Sequence, residues 1–339
     1  MLNQIFRTRI TDILGMRHPI LMGGMMYLSD APLVAAAVNA GAMGFITCRS
    51  YPTVDAFRAD LKKCKELTGG TEFGVNLTLS RRFGFDNSIE TLLNVALEEG
   101  VRKFESAGIP PTDIVQPIHA AGGVLVHKVP RIRHALTAQR LGVDAVAIVG
   151  MEEGGHPGKN DLTSFVQAAH LLGRIEIPVV VGGGIGHGRQ IAAALAMGAD
   201  GVVMGSRFTA AVEATAHANY KRAIVAATED CSTTALTSLN DTWRVLDNEN
   251  VREVQRIEAS GATRYEDYGD LIRGFRTKEY VYDKGEMDKG MISLSSAAGF
   301  VPGIESVERI IDTLVSDAAG ALDAVQRKRL PVMAKAAAS

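Results

Sequence analysis

The chain has 339 residues, 46% hydrophobic and 22% charged, with Lys+Arg 36 against Asp+Glu 38 and a formal net charge of -2. That balance excludes a protein that grips nucleic acid through excess positive charge, and equally a disordered acidic segment. Cys48, Cys64 and Cys231 are too few for a disulfide scaffold and form no Cys-x-x-Cys pair, so they read as thiols of a reducing compartment.

Arg and Asp interrupt every apolar stretch of the opening MLNQIFRTRITDILGMRHPI, which gives no secretory signal. No run of ~18 uncharged apolar residues follows, so no membrane span is expected and the location read is cytoplasmic. Short apolar runs then recur at 19–22, 44–47, 73–77, 103–106, 124–129, 145–149, 178–181 and 201–204. They have the length and β-branched content of strands covered on both faces. Segments with helical period separate them, at 31–39, 54–67, 89–99, 112–121, 130–141, 162–172 and 189–197. Three helix-to-strand joints share one pattern, Gly41-Ala42, Gly142-Val143 and Gly198-Ala199, with glycine where a helix needs a left-handed cap.

Eight strands alternating with helices predict an α/β chain, a (β/α)8 TIM barrel. A doubly wound sheet is the rival, weakened by the lack of G-x-G-x-x-G after the first strand. After Phe208 the rhythm stops. Residues 210–275 read as a helical subdomain inserted after strand eight, a lid without strand runs, leaving 1–209 and 276–330 as the barrel. Within the latter, 279–302 reads as a Gly- and Ser-rich loop and 306–326 as a closing helix. The tail 331–339 is expected to fray.

The active site of such a barrel forms at the C-terminal strand ends. Gly183 and Gly184 after strand seven, and Gly205 and Ser206 after strand eight, suit a phosphate cradle, the latter pair at an expected helix N-terminus. Tight turns would require the same glycines. Lys128 ends a buried strand, where an unpaired ammonium is costly. It suits either a flavin edge that gains negative charge on reduction or a salt bridge to a barrel carboxylate. Asn76 and Thr78 share a strand face and suit either hydrogen bonds to a heteroaromatic ring or simply the filling of a polar barrel mouth. His156 stands alone in the flexible-looking Gly154-Gly155-His156-Pro157-Gly158, placed for proton transfer near neutral pH. No metal set is visible, and Glu152 and Glu153 show no nearby partner.

Together the stretches PILMGGM, GVNLT, VHKV, GGHPG, VGGGIGHGR and GADGVVMGSRF resemble the nitronate monooxygenase (2-nitropropane dioxygenase-like) family of FMN-dependent barrels, in order over roughly residues 15–210. The resemblance implies FMN, with Gly23, Gly24 and Met25 lining the flavin and Thr78 and Lys128 near its polar edge. Gly154 would approach the ring, Gly183, Gly184, Gly205 and Ser206 would hold the phosphate, and His156 would be catalytic. Residues 156–161 look most like an NADH:quinone reductase branch, whereas 151–155 look more like the enoyl reductase and nitronate branches. Val149 and Ala298 depart from the quinone branch. The resulting expectation is an FMN-dependent oxidoreductase that oxidises alkyl nitronates with O2. NAD(P)H is a candidate co-substrate for the alternative, reduction of a quinone or activated alkene. A barrel isomerase or synthase that binds a sugar phosphate is the non-redox alternative. The expected partner is a small molecule, with O2 or NAD(P)H, and neither nucleic acid nor membrane; the oligomeric state stays open.

Overall fold

A computed structural model describes residues 3–79, 87–159 and 161–328, so the tail expected to fray lies outside the described residues. The strands β1 (Ile20–Met22), β2 (Met43–Thr47), β3 (Gly74–Leu79), β4 (Lys103–Gly108), β5 (Val124–Val129), β6 (Ala145–Val149), β7 (Val179–Gly182) and β8 (Gly201–Met204) form a closed barrel. All neighbours run parallel, and β1 completes the ring by pairing Leu21 with both Met43 and Val203. Helices α2 (Ala31–Asn39), α3 (Val54–Leu67), α4 (Asn87–Glu98), α5 (Thr112–Ala120), α6 (Ile132–Arg140), α7 (Ser164–Leu171) and α8 (Gly188–Ala196) connect them, preceded by α1 (Arg9–Leu14). The barrel read from the strand–helix rhythm is the fold.

Side chains on a strand alternate between faces, and here that sorts the core in two. Leu21, Met43, Phe45, Val126, Ala145, Ala147, Val180 and Val203 pack inside the barrel. Val75, Leu77, Phe104, Leu125, Val146, Ile148, Val179 and Val202 face the helices. Ile10 and Leu14 of α1 join the inner cluster and so plug the barrel's N-terminal end. This helix carries a Thr8/Thr11 capping box and ends at Gly15 with φ 68. Its Ile13 carbonyl accepts from the inward-facing Lys103 Nζ at 3.1 Å. Six residues are too few to show helical period, which is why the plug was not expected.

Beyond β8 lie α9 (Ala218–Val225), β9 (Ser232–Ala235), β10 (Trp243–Leu246), α10 (Glu249–Ala259) and α11 (Gly274–Arg276). The antiparallel β9–β10 pair corrects the expectation of a segment without strands. Its two strands are only four residues long and half buried, the first of them mostly Ser and Thr, so no extended alternating run marks them. The supposed loop at 279–302 also contains regular structure, a π-helical Thr277–Asp283 and a 3₁₀ turn Ser296–Phe300. The final helix α12 (Val307–Lys328) packs on α8 and α2. No helix among the described residues is long and apolar enough to cross a membrane.

On the helix-facing side of β5, His127 is 3% exposed and its Nδ1 lies 2.8 Å from Ser106 Oγ. Burial above all, and then the neighbouring His134, lower its pKa to about 4. A depressed imidazole leaves stability intact above the unfolded value of roughly 6.5 and removes it as pH falls toward 4. We predict a loss of about 1.4 kcal/mol per pH unit across that window, absent from His127→Gln. Urea unfolding of both proteins at stepped pH checks this. Parallel curves for the two would remove His127 as the cause.

Candidate active site

At the C-terminal mouth the inward positions turn polar. Asn76 and Glu105 are register partners on β3 and β4, and Lys128 stands two residues beyond the inward Val126 on β5. Glu105 is fully buried. Its Oε2 accepts from Asn76 Nδ2 at 2.5 Å and from the Gly24 amide at 3.0 Å, whereas Oε1 has no partner among the described residues. Thr78 Oγ1 donates to Asn76 Oδ1 at 3.0 Å. Lys128 Nζ lies 3.4 Å from Glu153 Oε1, on the loop after β6. The salt-bridge reading of Lys128 is therefore present, and the expectation that Glu153 lacks a partner is corrected.

Two carboxylates share this one ammonium, which explains both shifts. Burial, the largest influence on Lys128, would lower its pKa, but Glu105 and Glu153 together outweigh it and the net direction is up. Burial raises Glu153, and Lys128 only partly offsets that because Glu105 repels it. Glu152 is also engaged. Its carboxylate accepts from the Ser164 amide at 3.0 Å and hydroxyl at 3.1 Å, capping the first turn of α7.

The glycines divide by what they meet. A Cβ on Gly24 would lie 2.4 Å from Asn76, and one on Gly154 would lie 2.7 Å from the backbone of Leu294 and Ser295. Gly23 is similarly confined, by Val203 at 2.9 Å. Chain packing thus accounts for these three. Gly183 and Gly184 have φ +100 and +68, so their turn requires them. Gly205 differs: its φ is not left-handed, and a Cβ would meet nothing nearer than Met25 Sδ at 3.6 Å. Neither backbone nor packing demands glycine there. The amides of Gly183, Gly184, Gly205 and Ser206 donate to no backbone carbonyl among the described residues. Ser206 Oγ accepts from the Ser295 amide at 3.0 Å and hydroxyl at 3.1 Å, bonds that leave its own proton for another acceptor. Residues 206–210 form turns rather than the expected helix N-terminus, so no helix dipole supports this site.

His156 is half exposed, its Nδ1 3.1 Å from Asp241 Oδ1 and its ring stacked on Trp243 at 4.8 Å. Asp241 Oδ2 accepts from Tyr265 Oη at 2.9 Å, and Trp243 Nε1 donates to Ser293 Oγ at 2.8 Å. The loop is tied down rather than flexible. Gly155 and Arg244 exchange backbone hydrogen bonds at 2.9 and 2.7 Å, and Arg244 Nε donates to the Met151 carbonyl at 2.9 Å.

The structure thus gathers Gly24, Asn76, Thr78 and Lys128 around Glu105. It sets Gly183 and Gly184 beside Gly205 and Ser206 on adjacent strands, with Met25 against Gly205, and carries His156 three residues beyond Glu153. Sequence reasoning missed Glu105, Asp241, Trp243 and Tyr265. Glu105 had a signal, a charge at inward parity in the strand next to Lys128. The other three lie in the segment whose strands were not expected. A separate concavity at the opposite end, lined by Arg9, Leu172 and Met197, holds its one charged group in a salt bridge to Asp200.

Similarity to known proteins agrees with this arrangement. Over 209 residues the chain is 34% identical to a Rhodococcus jostii protein named (3aS,4S,5R,7aS)-5-hydroxy-7a-methyl-1-oxo-octahydro-1H-indene-4-carboxyl-CoA dehydrogenase, covering 62% of this chain and 57% of that relative, less than two thirds of its length. It is 27% identical over 296 residues to a probable nitronate monooxygenase of Staphylococcus haemolyticus, covering 75% and 82% of the two chains. The fold superposes on FabK from Thermotoga maritima with TM-score 0.87 at 30% identity, over 96% of this chain and 100% of that one. Residues 7–317 match the nitronate monooxygenase family. The chain belongs to that family.

Proposed function

We propose that the chain binds FMN at the barrel mouth and oxidises alkyl nitronates with O2, with His156 accepting a proton when the neutral nitroalkane is the substrate. The observation that carries this reading is an imidazole paired through Nδ1 with a carboxylate, on a strand-end loop at the same mouth as the two glycine turns. The residues suit a flavin: Gly205 keeps space that a Cβ would fill, and buried Glu105 Oε1 lacks a partner among the described residues. When bound, the flavin supplies the electron acceptor. The amides of Gly183, Gly184, Gly205 and Ser206 would hold its phosphate. Thr78, Asn76 and Lys128 would lie near the polar edge, and Gly23, Gly24 and Met25 along the ring. Gly154, close to residues 294–295, would bring the β6 loop up to it.

A second reading rests on the relative named a carboxyl-CoA dehydrogenase. The same scaffold would then use NAD(P)H to reduce an activated alkene or a quinone. Anaerobic mixing with NADH, NADPH and ethyl nitronate in parallel separates the two by which reagent bleaches the flavin.

Three outcomes follow. Denaturation releases FMN and not FAD, since no second glycine fingerprint is available for an adenylate; chromatography of the supernatant decides, and FAD would overturn the assignment. His156→Ala keeps its flavin but loses about 10²–10⁴-fold in kcat on nitroethane, with a smaller loss on ethyl nitronate, which is already deprotonated. Near-normal nitroethane turnover would remove His156 from the chemistry. Lys128→Met leaves two carboxylates without their cation, so the flavin becomes harder to reduce. A charge interaction of about 1–3 kcal/mol corresponds to a two-electron potential lower by roughly 20–65 mV. An unchanged potential with flavin fully bound would place Lys128 away from the ring.

A further inference from the structure

We infer that Asp241 and Tyr265 are positioning residues that fix the tautomer of His156, so the segment after β8 makes this side chain a base; the inference rests on His156 being the proton acceptor. A carboxylate can only accept, so Asp241 Oδ1 at 3.1 Å from Nδ1 favours the tautomer in which that nitrogen carries the proton. The lone pair of the neutral ring then sits on Nε2, and Nε2 is the atom that takes a proton. Tyr265 Oη, 2.9 Å from Oδ2, holds the other carboxylate oxygen and so sets the direction of the first. Trp243 stacks on the imidazole, and its own indole N–H is fixed on Ser293. The Gly155–Arg244 backbone pair brings hairpin and loop together. An ordinary surface ion pair is too weak and too mobile to constrain the tautomer.

Asp241→Asn is nearly isosteric and separates orientation from packing. If Tyr265 keeps donating to the carboxamide oxygen, the amide NH₂ turns to Nδ1, which must then accept, and the proton moves to Nε2. The holoenzyme labelled with ¹⁵N-histidine, at about pH 8.5 where an ordinary imidazole is neutral, reports the tautomer directly once His156→Ala identifies the resonances. The expected result is a protonated Nδ1 in the parent protein and a protonated Nε2 in Asp241→Asn. Turnover of nitroethane falls about 10²-fold or more in kcat with little change in KM, the size of a misplaced general base. Adding Tyr265→Phe frees the carboxamide to rotate, restoring the Nδ1–H form and part of the lost kcat.

A protonated Nε2 in the parent protein would overturn the inference, whatever the variants do. So would an Asp241→Asn protein with the parental tautomer and nitroethane kcat within about twofold, which is what a surface pair predicts. If His156→Ala retains nitroethane turnover, the proposed reaction fails instead, and the tautomer measurement still decides the role of Asp241.

Discussion

The chemistry at the mouth depends on one geometric constraint: eight parallel strands closed into a ring, with side chains pointing alternately in and out. Closure leaves no edge at which a register can slip. A one-residue shift would exchange the inner cluster around Phe45 and Val180 for the outer one around Phe104 and Ile148. Because the lower inward positions are filled by α1, apolar side chains and Lys103, whose ammonium is held on the Ile13 carbonyl, the other polar groups gather at the top. Glu105 and Lys128 therefore meet through strand register, without a loop having to carry either of them.

Burying that layer has a cost, and its stoichiometry is informative. Replacing a buried ion pair by apolar residues is often neutral or stabilising, so stability alone does not account for charges in a barrel that could have held Val or Leu. Here the ammonium is oversupplied with carboxylates, and Glu105 keeps one oxygen unpartnered among the described residues. A buried acceptor without a donor costs about 1–3 kcal/mol. Such unresolved polarity belongs at a site where another molecule completes the set. The flavin proposed for this mouth would offer hydrogen-bonding edges of the required kind.

How much of this was legible in the sequence varied with the strength of the local pattern. The barrel strands were visible because most are short apolar runs near glycines, the polar Lys103–Gly108 being placed by the rhythm of its neighbours, and because helix-to-strand joints such as Gly41-Ala42 repeated. Gly205 and Ser206 were read as part of a cradle, yet the helix expected after them is a turn, since nothing local separates the two. The β9–β10 pair was invisible because Ser232–Ala235 and Trp243–Leu246 alternate too briefly and are half exposed. Asp241 and Tyr265 could not be found at all. Their meeting with His156 spans 85 and more residues of sequence and is produced by tertiary pairing alone.

That last contact changes what the segment after β8 does. A lid would only cover the mouth, whereas this hairpin adds its backbone to the β6 loop at Gly155 and presents Asp241 and Trp243 to the imidazole. The loop carries three glycines within the five residues 154–158, and Gly155 and Gly158 have φ +102 and +75. Left to itself, such a stretch would lose much conformational entropy on ordering. The Arg244 backbone pair and the Arg244 Nε bond to Met151 offset that loss from outside the loop. The barrel thus positions the charge layer by register, and the segment after β8 positions the His156 imidazole by pairing. The two meet at Glu153 and His156, three residues apart on the same loop.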